Sequence, residues 1–227
     1  MKACVVIAEN NLFKAISIAK RYETAEVRLD LCKFSNHNLK LMIESHPNLI
    51  VTHRDNLDLL EKTNAIKLAI ESGAAMVDIE YKLEEDCKLE ILQAAKTYNC
   101  KVIISYHNAE LTPSLEELRE IITESKKWNP TYIKIVTKTN SKFDALRLLN
   151  LYDAYDNVIA FGLGENSKYT RIASVYLGAP FMYIYFGTLK NQIASGQLSA
   201  KEFEVLQDKV MTIPTSKTPR RRTQLHH

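Results

Sequence analysis

The chain has 227 residues, 46% hydrophobic and 25% charged, with a formal charge of +3. This is the composition of an ordinary globular protein large enough to bury one substantial core. Four of its cations, Lys217, Arg220, Arg221 and Arg222, stand in a terminal stretch without acids, and the remainder carries a formal −1. Elsewhere Lys and Arg alternate with Asp and Glu, so the clustered basic face that nucleic acid requires is missing. Cys4, Cys32, Cys87 and Cys100 lack the CxxC or Cys/His spacing of a metal site and read as reduced, buried thiols. The opening ACVVIA goes straight into a strand pattern without the features of a secretory leader, and no apolar run reaches membrane-spanning length. The sequence thus predicts a cytoplasmic protein with no metal, nucleic-acid or membrane partner.

In chain order, strand-like runs begin at Ala3 (ACVVIA), Ala25 (AEVRLDL), Leu49 (LIVTHR), Ala75 (AMVDIEY), Lys101 (KVIISYH), Thr131 (TYIKIVTK), Asn157 (NVIAFGL) and Phe181 (FMYIYFG). Amphipathic runs separate them. After the first strand the turn reads AENNLFKA, without the glycines of a dinucleotide or P-loop site. In LDLLEKTNAIKLAIESG, Leu60, Ala65, Leu68 and Ala69 can share a helix face, with Gly73 as the cap that follows. A further helix starts at Thr112-Pro113-Ser114, with Thr112 or Ser114 as N-cap and Glu116 and Glu117 in its first turn. Eight βα units of under thirty residues each predict one (β/α)8 barrel over residues 1–210; an open doubly wound sheet is the alternative. Residues 211–227 read as a flexible basic tail.

Side chains alternate across a strand, and in a barrel those near the strands' C-terminal ends reach the mouth where such enzymes work. Glu26, Arg28 and Asp30 share one face of the second strand. Arg54 ends the third, Asp78 and Glu80 share a face of the fourth, and Ser105 and His107 share a face of the fifth. Lys134 lies between Ile133 and Ile135 in the sixth, with Lys138 of the same parity at its end. Ion pairs that serve only packing and register are one account of these charges. The other is chemistry: an inward lysine stripped of water is a candidate Schiff-base nucleophile, and an imidazole one strand away is a candidate proton shuttle.

Taken together these motifs resemble the type I 3-dehydroquinate dehydratase family. E-x-R-x-D appears at Glu26-Val27-Arg28-Leu29-Asp30, an F-R-like step at His53-Arg54, D-x-E at Asp78-Ile79-Glu80 and S-x-H at Ser105-Tyr106-His107. T-P follows at Thr112-Pro113, K-I at Lys134-Ile135, the G-x-x-[GS]-x-x-[ST]-R loop at Gly164 to Arg171, and an A-x-G-Q-like turn at Ala194-Ser195-Gly196-Gln197. The resemblance spans about residues 1 to 205. Two features depart from it: no E-G-G follows the third strand, and the serine before the last turn is displaced.

The resemblance implies dehydration of 3-dehydroquinate to 3-dehydroshikimate in aromatic amino acid biosynthesis, without metal or organic cofactor, by a homodimer. Lys134 would form the Schiff base and His107 would act as base and then acid. Arg171 would hold the substrate carboxylate; Glu26, Arg28 and Arg54 would orient the ring hydroxyls, and Gln197 would close the site. Asp58 or Glu80 would orient His107, and Ser195 is the candidate for the displaced serine. A class I aldolase or transaldolase, gripping phosphate at the Gly164 loop, is the enzymatic rival, and a barrel kept as an assembly module the non-enzymatic one.

Overall fold

The computed structural model describes residues 1–54 and 58–210; the basic tail read from the sequence lies outside them. Eight parallel strands appear where the apolar runs predict them: β1 (Ala3–Ile7), β2 (Thr24–Arg28), β3 (Leu49–Thr52), β4 (Met76–Glu80), β5 (Lys101–Asn108), β6 (Tyr132–Lys138), β7 (Val158–Leu163) and β8 (Met182–Tyr185). They alternate with α1 (Leu12–Ala19), α2 (Asn36–Glu44), α3 (Leu59–Glu71), α4 (Glu85–Thr97), α5 (Leu115–Lys126), α6 (Lys142–Ala154), α7 (Lys168–Leu177) and α8 (Ala200–Val210). No helix among the described residues is long and apolar enough to cross a membrane.

Strands pair in sequence order, and β8 returns to pair with β1, so the sheet curls into a (β/α)8 barrel and the open doubly wound alternative is excluded. One joint is unusual. Among the described residues no backbone ladder joins β7 to β8; instead a two-residue strand, β9 (Leu198–Ser199), pairs with the end of β8. The sequence reading missed β9, which has no apolar run of its own. The segment leading into it meets the other side of the gap, where the Gly164 amide donates to the Ser195 carbonyl at 3.1 Å. Deeper down, the Phe161 and Tyr183 rings face each other across the joint at 6.1 Å.

Strand parity sorts the core into two environments. On β1, Val5 and Ile7 pack outward against the helices, whereas Cys4 and Val6 join Ile50, Met76, Ile103, Ile159 and Phe181 in the barrel interior. Helix starts shape the opposite end: Asn11, Ser35, Asp58, Ser114 and Ser141 each accept a backbone N–H in the first turn of the helix that follows. Of the two caps proposed for α5, Ser114 forms the capping box with Glu117, while Thr112 bonds Thr137 and the Lys138 carbonyl.

The expected inner face of α3 needs correction. The helix buries Lys62, Thr63, Ile66, Ala69 and Ile70, and Leu60 is exposed. Lys62 reaches inward to pair with Glu80 at the end of β4, so a lysine with an apolar stem is buried on a face from which the apolar pattern leaves it out. Gly73 does end the helix as expected: at φ +94° its amide bonds Ile70, and that of Ala74 bonds Ala69.

Gly196 carries the seam. It sits at φ +79°, and a Cβ there would run into the Gly164 carbonyl. Gly196→Ala should therefore lower stability by about 1–3 kcal/mol, read as a reduced urea midpoint. An unchanged midpoint would mean the seam is not held at this contact.

Candidate active site

Above the apolar floor the inward positions become polar. Register sets Ser105 beside Lys134 and Glu80 beside Ser105, with Thr52 between Arg28 and Asp78. The side chains converge on Asp78, whose carboxylate is fully buried. Its Oδ2 accepts from Arg54 Nη2 at 2.6 Å and from Lys134 Nζ at 3.0 Å, and Oδ1 accepts from the Ser105 hydroxyl at 2.5 Å. Burial alone would raise the Asp78 pKa, but Arg54 and Lys134 outweigh it and hold the carboxyl well below its usual range.

Lys134 is 5% exposed, so the burial expected of it is observed. Its surroundings are not purely apolar, however. Besides Asp78, Glu26 Oε2 lies 3.6 Å from Nζ, and the nitrogen stands 3.9 Å from the centroid of the Tyr183 ring. Lys138, the local rival, is half-exposed at the strand end beside Gly164.

His107 stands at the mouth, with Arg54 Nη1 lying 2.9 Å from its Nδ1 and 3.1 Å from its Nε2. A guanidinium has only donors, so the nitrogen it addresses must present a lone pair, which requires a neutral ring. Desolvation and then the charges of Arg54 and Lys134 hold the His107 pKa well below 6.5. The side chain is open to the mouth by surface area, so the two cations are the firmer cause. Neither carboxylate proposed to orient it does so by a hydrogen bond among the described residues: Asp58 caps α3 and Glu80 pairs with Lys62.

The remaining predicted residues fall around the same cavity, of about 110 Å³, which Glu26, Arg28, Arg54, His107, Lys134, Arg171 and Gln197 all line. Arg28 ends β2 and grips Asp30 through a two-point fork of 2.9 and 2.5 Å. Asp30 itself lies in the turn beyond the strand. Arg171 enters from α7, packs its guanidinium 4.2 Å from the Phe161 ring centroid, and leaves Nε and Nη2 without a hydrogen-bond partner among the described residues. Desolvation lowers its pKa to about 9. Gln197 comes from the seam segment, its Oε1 accepting from the Ile193 amide at 3.3 Å. Ser195 is exposed and contributes its backbone carbonyl to the seam, with its side chain outside the cavity lining.

A larger cleft of about 540 Å³ opens beside the mouth between Glu9, Lys14, Phe186 and Lys190, sharing Val6, Arg28 and Ile193 with the cavity. Its amine, Lys14, is a solvent-exposed side chain paired with Glu9 at 2.5 Å, whereas the smaller space holds the buried lysine, Lys134. The Gly164 loop offers little to a phosphate: the amides of Gly164 and Ser167 are taken by the Ser195 and Gly164 carbonyls, and that of Gly162 by Thr170. All four cysteines are free thiols; Cys4, Cys32 and Cys100 are buried as expected, burial raising Cys32 to about 11 and Cys100 to about 12, whereas Cys87 is partly exposed. Among the described residues no group of three His, Cys, Asp or Glu side chains is placed to hold a metal ion.

A ring of ionisable groups over an apolar floor, at the strands' C-terminal ends, defines a (β/α)8-barrel enzyme. A model of the Type I 3-dehydroquinase family matches residues 3–207. The 3-dehydroquinate dehydratase of Methanocaldococcus jannaschii is 33% identical over 187 residues, covering 78% of this chain and 84% of its own. That of Archaeoglobus fulgidus is 32% identical over 186 residues, covering 81% and 88%. The chain belongs to the type I 3-dehydroquinase family, and its reaction class is that of a hydro-lyase. Crystal structures of 3-dehydroquinate dehydratases from Aquifex aeolicus (TM-score 0.79, 24% identity, 94% of this chain and 100% of that one) and Clostridium difficile (TM-score 0.79, 21% identity, 92% of each) share the fold.

Asp78→Asn keeps the shape but leaves Lys134 and Arg54 without their shared anion, which should cost about 3–5 kcal/mol at pH 7. A carboxyl whose folded pKa is depressed stabilises fully above its unfolded value near 3.9 and loses that contribution as pH falls toward the folded one. The gap between wild type and Asp78→Asn in urea unfolding should therefore narrow below about pH 4. A gap that widens there would contradict this account of the carboxylate.

Proposed function

We propose that the chain dehydrates 3-dehydroquinate to 3-dehydroshikimate through a Schiff base on Lys134, as a step of aromatic amino acid biosynthesis carried out by a cytoplasmic homodimer. One observation carries this reading: Glu26 Oε2, Tyr183 Oη and Arg171 Nε and Nη2, all buried and without hydrogen-bond partners among the described residues, line the cavity that contains Lys134. A buried polar atom left unpaired costs about 1–3 kcal/mol. A hydroxylated ring carrying a carboxylate would supply the missing partners.

In this reading Arg171 takes the carboxylate, since a planar fork suits a planar anion. Glu26 and the cations Arg28 and Arg54 orient the ring hydroxyls, and Gln197 covers them. Lys134 condenses with the C3 ketone, and the resulting iminium acidifies the neighbouring C2 hydrogen. His107, neutral because two cations face it, removes that proton and then returns one to the departing C1 hydroxyl. Asp78 aims the amine, and Arg54 links Asp78 to His107.

Borohydride reduction in the presence of 3-dehydroquinate should attach the substrate to Lys134, and Lys134→Ala should abolish both labelling and turnover. The fold should hold, because Asp78 keeps Arg54 and Ser105. Label on Lys138 would sink the assignment. In His107→Ala the adduct should still form and accumulate while kcat falls by roughly 10² to 10⁴. For the wild type, the acid limb of kcat/KM should lie below pH 6.5, since the base stays unprotonated further into acid than a free imidazole.

Arg171→Ala should raise KM with little change in kcat, as expected of a group that holds ground and transition states alike. A fall in kcat at constant KM would assign the guanidinium to the transition state instead.

A further inference from the structure

We propose that Tyr183 takes part in imine formation: its ring face seats the Lys134 nitrogen, and its hydroxyl donates a hydrogen bond to the substrate oxygen that is lost as water. The proposal rests on Lys134 being the Schiff-base lysine. Tyr183 lies on β8, across the unladdered joint from β7, and is 4% exposed. Two contacts fix its ring. Phe181 meets it edge to face with centroids 5.2 Å apart, and Phe161 meets it tilted at 6.1 Å. A ring so held presents a fixed face to Nζ at 3.9 Å. A cation on that face is favoured by the ring's quadrupole, more so where water is excluded.

The charge requirement of the step matches this seat. An ammonium and a ketone give an iminium and water; the C–N bond forms, the C–O bond breaks, and two of the three N–H hydrogens leave with the oxygen. The ammonium first passes one of those hydrogens to a carboxylate beside it, Asp78 or Glu26, so that the nitrogen lone pair can attack; the carbinolamine is neutral at nitrogen, and the positive charge returns when the oxygen leaves as water. The ring face therefore favours the step in which positive charge returns to nitrogen as the oxygen departs, which is the step that loss of the π face would slow, and no oxidant or further reactant is needed.

The hydroxyl has a separate task. It is buried and has no hydrogen-bond partner among the described residues, although Glu26, Cys4 and Asp78 are its charged or polar neighbours. The atom bonded to Nζ in the addition step carries the oxygen that must leave, and with Nζ 3.9 Å from the ring centroid an oxygen turned toward the hydroxyl edge of the ring would meet the unpartnered phenol. Desolvation, reinforced by Glu26, Cys4 and Asp78, raises the phenol well above its ordinary pKa, so it stays protonated and acts as a fixed donor. Directing such a donor at developing charge on oxygen is an oxyanion-hole arrangement.

The test is single-turnover formation of the borohydride-trapped adduct with 3-dehydroquinate, followed by mass spectrometry, in Tyr183→Phe and Tyr183→Met. Tyr183→Phe keeps the ring and its packing and should slow adduct formation by roughly tenfold to a hundredfold. The dissociation constant of quinate, which has an alcohol in place of the ketone, should change by much less. Tyr183→Met refills the volume without a π face and should be slower still. Wild-type rates in Tyr183→Phe, or a rate loss matched by an equal loss in quinate binding, would overturn the role of the hydroxyl. Equal rates in the two variants would overturn that of the ring. Wild-type adduct mapping away from Lys134 would instead refute the Schiff-base assignment itself, so the two failures are distinguishable.

Discussion

The mouth of this barrel is organised around one buried carboxylate. Asp78 has no exposed surface, and each of its oxygens is committed: Oδ2 to Arg54 and Lys134, Oδ1 to Ser105. Two cations and two anions, with Glu26 as the second anion, make a cluster close to neutral, which is the condition under which an interior tolerates charge at all. Such clusters rarely add stability over apolar packing. Their retention here has a different consequence, because Arg54 uses a second nitrogen to face His107. The Lys134 amine and the Arg54 guanidinium that faces His107 are thus both held by the same carboxylate.

Much of this was legible from alternation alone. The eight strands and the inward parity of Glu26, Arg28, Asp78, Ser105 and Lys134 follow from period-two patterning and the rule that barrel chemistry sits at the strand ends, whereas Arg171, on a helix, and Gln197, in a loop, are reached only through the resemblance to the family. Parity does not rank residues within a face, and the D-x-E of β4 shows why. Asp78 and Glu80 have equal claims in sequence, but two residues along a strand is about 7 Å, enough to carry one carboxylate into the charged ring and the other out to Lys62 on α3. The same limit hid Tyr183, which in sequence is one more aromatic in an apolar strand. Its hydroxyl becomes informative only once the fold shows that no hydrogen-bond partner among the described residues meets it.

The misread inner face of α3 and the unread β9 have related causes. Periodicity scores a lysine as solvent-facing, yet Lys62 buries its stem and delivers its charge to Glu80. A two-residue strand has too few positions to show alternation, and β9 exists because the end of β8 offers free backbone groups where β7 would otherwise pair. Ser195 and Asp58 were drawn toward the site by sequence position. The first supplies backbone to the seam and the second a helix cap.

The open joint between β7 and β8 then connects architecture to chemistry. Where no ladder among the described residues closes it, Phe161 and Tyr183 meet at a tilt, one under Arg171 and the other under Lys134. Above them the segment that bridges the joint delivers Gln197 as cover. The two cations on these neighbouring rings differ in one respect that decides orientation. Lys134 is matched by Asp78 and Glu26, whereas Arg171 makes no ion pair among the described residues within the cavity. A ligand with one negative group gains most by placing it at the uncompensated guanidinium, and the far side of its ring is then carried toward the amine. In the proposed reaction, polarity across the joint, more than any single contact, would determine which carbon meets Lys134.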